Sequence, residues 1–154
     1  MAWSPPQLTT QRLRLVARDD NPRSFISDGR SAAEQDLPGL PSNWRIILKA
    51  PEQPIGSIGF IDWDREARLG EIGFMLANDE SGRGYMTEAC RAVVAFGFEK
   101  MGLEAVKAKS LPGNRASIRI LEKLGMRKEK QIQGRLWSKG PIVDLDLFIL
   151  RKPR

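Results

Sequence analysis

Between Leu69 and Met101 the apolar residues change their spacing, and the change falls across two glycines. Leu69–Leu76 reads as a strand. From Thr87 to Met101, Ala89, Val93 and Phe96, with Cys90, Val94, Gly97 and Met101, recur at helical spacing. Between them lies Glu80-Ser81-Gly82-Arg83-Gly84-Tyr85-Met86-Thr87-Glu88-Ala89, so a strand must turn sharply into a helix. Glycines let the backbone turn tightly and come close to a ligand. The N–H groups of the first helical turn, at the positive end of the dipole, then suit an anion. Arg83 can add a direct charge. A glycine pair of this kind also occurs in ordinary turns.

The rest of the chain builds around that step. Leu8–Ala17 alternates Leu13, Leu15 and Ala17 with Arg12, Arg14 and Val16, a half-buried strand. Arg18–Ser42 is polar, broken by Pro22, Gly29, Pro38, Gly39 and Pro41, and has room for short helices only. Trp44–Lys49, Ile55–Trp63 and Leu69–Leu76 form a β-meander, with turns at Pro51–Pro54 and Asp64–Arg68. Gly56 and Gly59 inside the second of these strands mark a bulge or a close backbone approach. Glu104–Leu111 is a strand. Asn114 caps a helix that runs through Leu124 and stops at Gly125, with Ile118, Leu121 and Leu124 on one face. Strands near Arg127–Leu136 and Ile142–Leu150 close the chain. This order predicts an α+β fold with a mixed, mostly antiparallel sheet, in a single domain spanning 1–154.

Composition removes several chemistries. The chain of 154 residues has no histidine and one cysteine, Cys90. Nucleophilic triads, zinc fingers and His-ligated metals are therefore excluded, as is an internal disulfide. That usage fits a reducing cytoplasm. The formal net charge of +6 favours an anionic ligand or partner. No apolar run approaches the ~18 residues of a membrane span, and Met1–Pro6 carries no basic or apolar leader pattern. No P-loop sequence is present. A Rossmann fingerprint fails at Thr87, where its third glycine should stand, although Glu104 lies at a suitable distance.

Taken together, the glycine turn and Asn114-Arg115-Ala116-Ser117-Ile118-Arg119-Ile120-Leu121-Glu122-Lys123-Leu124-Gly125-Met126 resemble the GNAT acetyltransferase superfamily, in its ribosomal-protein (Rim-type) branch. Leu8-Thr9-Thr10-Gln11-Arg12-Leu13-Arg14-Leu15 resembles that branch's opening strand. Ile55–Phe60 with Gly70-Glu71-Ile72-Gly73-Phe74 resembles its central hairpin. The resemblance implies acetyl-CoA as cosubstrate and a primary amine as acceptor. It implies that Phe74, Met75 and Leu76 splay from Glu104–Leu111 to admit pantetheine. Ser81, Gly82, Arg83, Gly84, Tyr85 and Met86 would hold the pyrophosphate, and Asn114 and Ser117 the pantetheine and thioester.

The same resemblance implies Glu71 as base, because an ammonium cannot attack a thioester. Leu121 stands where many members carry a tyrosine acid, and Ser117 is the nearest substitute. Ser81 and Met86 also depart from the usual loop. A strand glutamate facing solvent and a capping serine remain the plain alternatives for Glu71 and Ser117. Two other functions stay open: a CoA-binding domain without catalysis, and a small basic nucleic-acid-binding domain using Trp63 and Trp137. Asp62/Asp64 and Asp144/Asp146 are spaced for a divalent metal but fit turn and edge charges equally. Cys90 reads as a packed thiol and Arg151–Arg154 as a frayed basic end. A low wall over Arg18–Ser42 would leave the acceptor side open, or covered by a second copy in a homodimer.

Overall fold

Leu8–Ala17 does not run as one strand. In the computed structural model, whose described residues are 5–17, 42–76, 82–135 and 140–153, it folds back on itself. Leu8–Thr9 (β1) pairs antiparallel with Leu13–Ala17 (β2). Leu13 and Leu15 still face inward and are fully buried, as their alternation requires. The helices expected within Arg18–Ser42 lie outside the described residues, except that Ser42 itself opens the next strand.

That strand is Ser42–Lys49 (β3), followed by Glu52–Asp64 (β4) and Leu69–Leu76 (β5). The turn after β3 is shorter than the two prolines suggest: Gln53 and Pro54 already belong to β4. Pro54 sits opposite Ile47 at a register shift, and β5 ends level with Gly56. Pro54 thus lies where β4 has a neighbour strand on one side only, beyond the end of β5, a kind of edge position at which a sheet tolerates proline. A helix, Tyr85–Lys100 (α1), leads to Ala105–Ser110 (β6). A second helix, Arg115–Lys123 (α2), leads to Arg127–Gly134 (β7) and Val143–Arg151 (β8). Gly125, at φ 90°, stops α2 as expected.

Among the described residues the sheet has eight strands in the order β1-β2-β3-β4-β5-β6-β8-β7. Only β5 and β6 run parallel; the other pairings are antiparallel. The mixed α+β architecture is thus the one expected. One face of the sheet carries Leu15, Ile46, Ile58, Phe60, Ile72 and Val106 against Ala89, Cys90, Val93 and Phe96 of α1. Trp44 meets Phe96 edge to face, with ring centroids 5.5 Å apart. Its indole N–H donates to the Pro6 carbonyl at 2.8 Å, tying down the chain before β1. Gly70 and Gly97 set the depth of this contact. A Cβ on either would come within 2.9 Å of Leu103 and Phe60. α1 therefore lies close to β4 and β5. No helix among the described residues is long and apolar enough to cross a membrane.

Candidate active site

The parallel pair β5 and β6 comes apart. Pairing runs only from Leu69–Glu71 to Ala105–Lys107. Beyond it Phe74, Met75 and Leu76 stay paired to Ile58, Ser57 and Gly56 of β4, on the other side. Gly56 permits this: a Cβ there would run into the Met75 carbonyl. The close approach read from the glycines of β4 is present at Gly56. The result is a fork whose two arms are backbone edges, the expected splay.

Two helix N-termini follow the arms of the fork. Gly84 is the N-cap of α1, at φ 81°, a left-handed conformation open to glycine. Gly82 has φ 83°, and a Cβ on it would meet nothing within 4 Å. The first helical bond of α1 runs from the Glu88 N–H to the Gly84 carbonyl at 3.1 Å. The N–H groups of Tyr85, Met86 and Thr87 precede it and have no acceptor within the helix. No side chain caps this end. Met86 contributes backbone alone, since its side chain is buried in the core. Arg83 is exposed, Tyr85 half-buried. Ser81 lies outside the described residues.

Asn114 caps α2 as its sequence predicts. Its Oδ1 accepts the Ser117 N–H at 3.2 Å. The capping bond therefore uses the backbone of Ser117 and not its hydroxyl. Leu121 is fully buried in the core and offers no proton donor.

Glu71 is the last residue of β5 paired with β6, at the vertex of the fork. It is 4% exposed, so the solvent-facing alternative does not hold. Lys107 Nζ lies 3.8 Å from its Oε1 and Lys109 Nζ 3.4 Å from its Oε2. The latter distance is longer than a normal hydrogen bond, and Oε2 has no other partner. Burial is the main influence and lifts the carboxyl above its ordinary value of 4.5. The two lysines pull it down, and Asp62 across β4 adds to the rise. The arrangement is a desolvated carboxylate with two cations and an unsatisfied oxygen, which suits proton acceptance.

Four residues here, Lys107, Lys109, Arg12 and Glu88, were not singled out from sequence. Lys107 and Lys109 follow from the i, i+2 rule once β6 is known, but their partner does not. Arg12 and Glu88 form a salt bridge at 2.7 Å between the β1–β2 turn and α1. They line a cleft of about 760 Å³ with Thr10, Gly84, Arg91 and Lys123.

Remaining candidates resolve simply. The Asp64 carboxylate accepts the Ala67 N–H at 2.9 Å and shapes the β4–β5 turn. Asp146 is paired with Lys128 at 3.2 Å. Among the described residues no three metal-binding side chains cluster. Trp63 packs on the core, under the Arg65 guanidinium at 4.0 Å. Trp137 lies outside the described residues. Cys90 is fully buried, and desolvation pushes its thiol far up. The basic end is not frayed at its start: Arg151 closes β8, and the Lys152 N–H donates to the Glu104 carbonyl at 2.8 Å.

Residues 2–127 match the family model described as Acetyltransferase (GNAT) domain. The uncharacterized N-acetyltransferase p20 of Bacillus licheniformis is 29% identical over 154 residues, covering 97% of this chain and 83% of that one. An acetyltransferase (GNAT family) from Bacillus anthracis superposes with a TM-score of 0.71 at 22% identity, over 95% of this chain and 98% of that one. Mycobacterium smegmatis RimJ, solved in complex with CoA-disulfide, superposes with a TM-score of 0.65 at 22% identity, over 71% of this chain and 52% of that one.

Proposed function

The chain belongs to the GNAT acetyltransferase family, and from that premise we propose that it moves an acetyl group from acetyl-CoA to a primary amine by direct attack in a ternary complex. The observation that carries this reading is the fork, which opens at the end of β5 and β6 where the glycine turn and the Asn114 cap both follow. An extended amide-bearing chain can pair with such strand edges, and an anion can sit on uncapped helical N–H groups. The open space around Gly82 fits a close phosphate.

Acetyl-CoA supplies an activated acyl group as its thioester. Gly82, Arg83, Gly84, Tyr85 and the Met86 backbone hold the pyrophosphate. Asn114 and Ser117 border the pantetheine, and backbone N–H groups of Phe74–Leu76 polarise the thioester carbonyl. Glu71 accepts the proton of the amine, directly or through a water, and its raised pKa makes it a stronger base than an exposed carboxylate. Ser117 stands nearest to donate a proton to the departing thiolate. An acyl-enzyme on Cys90 is unsuitable, because that thiol is buried and held protonated. The acceptor is a peptide N-terminus or a small amine, and the compartment is cytoplasmic.

The test is an acetyl-transfer screen with purified chain, acetyl-CoA, small amines and N-terminal peptides, run beside calorimetric titration with acetyl-CoA. Turnover on an amine is the expected result. Binding without turnover on any amine would leave a CoA-binding domain, and no binding at millimolar acetyl-CoA would remove the reading altogether.

A further inference from the structure

We infer that Arg12 and Glu88 are positioning residues for the glycine turn: they fix the Arg83–Gly84 peptide so that the Gly84 N–H points at the bound phosphate. This rests on the acetyl-CoA reading above.

The contacts form one clamp. Glu88 Oε1 accepts Arg12 Nε at 2.7 Å, and Oε2 accepts the Arg12 backbone N–H at 2.8 Å together with the Thr10 hydroxyl. This carboxylate therefore fastens the β1–β2 turn to the first turns of α1, across 76 residues of sequence. The free arm of the guanidinium reaches on. Arg12 Nη1 donates to the Arg83 carbonyl at 3.0 Å. The same group lies over the Tyr85 ring, 4.5 Å from its centroid.

The consequence follows from peptide geometry. In a trans peptide the carbonyl and the next N–H point in opposite directions. Holding the Arg83 carbonyl toward Arg12 aims the Gly84 N–H away from it, outward from the clamp. Among the described residues no side chain caps Gly84, and a Cβ on Gly82 would meet nothing within 4 Å. Two glycines at positive φ tolerate a flipped peptide at little steric cost, so the loop needs an external hold. Arginine suits this because its planar fork serves the carboxylate through Nε and the carbonyl through Nη1, two fixed donors on separate nitrogens, where an ammonium offers a single nitrogen.

The experiment compares wild type, Arg12→Met, Arg12→Lys and Glu88→Gln with two acetyl donors. Acetyl-CoA carries the pyrophosphate; S-acetylpantetheine does not. Loss of a charge-assisted hold, at about 1.5–3 kcal/mol, corresponds to about a 10–100-fold weaker Kd for acetyl-CoA by calorimetry. The ratio of kcat/KM for acetyl-CoA to that for S-acetylpantetheine should fall by a similar factor in Arg12→Met. Arg12→Lys should recover only part of it. An unchanged ratio, with both donors lost in parallel or neither affected, overturns the inference and makes the clamp structural. If Arg12→Met does not fold, the same ratio is read from Glu88→Gln. Wild type that binds no acetyl-CoA removes the acetyltransferase reading itself, a separate outcome from a variant that binds as wild type does.

Discussion

Lys109 Nζ stands 3.4 Å from Glu71 Oε2, although pairing between their strands ends at Glu71 and Lys107, two residues before Lys109. The ion pair thus spans the opening of the fork. It favours the charged form of the carboxylate against burial and leaves Oε2 short of a full set of hydrogen bonds.

Glu71→Gln should lower kcat by about 100-fold, within the range of general base catalysis, while acetyl-CoA affinity holds. The deficit should shrink at high pH, where the amine is already neutral. Steady-state kinetics across pH check this, and near-normal turnover at pH 7 would remove Glu71 as base.

Lys109→Met should move the acidic limb of the pH–rate profile upward. Lys109 pulls the Glu71 carboxyl down against burial, so without it the carboxylate forms only at higher pH. A limb that stays in place would mean another group controls it.

Glu71→Gln should also stabilise the fold at neutral pH. The carboxyl of Glu71 is raised from 4.5 in the native state. Both states bind the proton well below 4.5, and the native state holds it more tightly above. Stability from this group is therefore lost as pH rises from 4.5 through the raised value. Urea midpoints of the two proteins should agree at low pH and separate above 4.5 in favour of the variant. A wild type that is the more stable one at pH 7 would contradict this.

Glu88 works in the opposite sense. Burial raises its carboxyl, but the Thr10 hydroxyl and the Arg12 amide and guanidinium outweigh that and lower it below 4.5. Its contribution is present above 4.5 and is lost as pH falls through the depressed value. Wild type should therefore exceed Glu88→Gln in urea midpoint at neutral pH, and the gap should close in acid.

Asn114→Ala should cost about 1 kcal/mol through loss of the cap, whereas Asn114→Asp should keep the cap. If Asn114→Asp retains its melting temperature but binds acetyl-CoA more weakly, Asn114 serves the cosubstrate as well as the helix. Equal affinity would confine it to capping.

Much of this arrangement is legible in the chain. The periodicity of Leu69–Leu76 and of Thr87–Met101, with the glycines between, locates the end of β5 and the start of α1. Asn114 and Gly125 bracket α2. What escapes is long-range. The fold-back at Thr10–Arg12 has no glycine or proline to announce it; its turn is stabilised by Glu88, which no local pattern reveals. Likewise Lys107 and Lys109 read as surface residues of an alternating strand until β6 is placed beside β5. Burial of Glu71 depends on which face of the sheet is covered, and alternation alone does not choose between two faces.

The brevity of the β5–β6 pairing has a mechanical consequence. Three residue pairs join two antiparallel half-sheets, one containing β1 to β5 and the other β6, β8 and β7. Apart from the two-pair edge of β1 on β2, that seam has the fewest rungs among the described strands, and a wedge driven in beside it would supply the absent rungs. An amide-bearing cosubstrate arm would then act as a strand without being part of the chain. Amide hydrogens on both banks of the seam should slow their exchange together when the arm is seated.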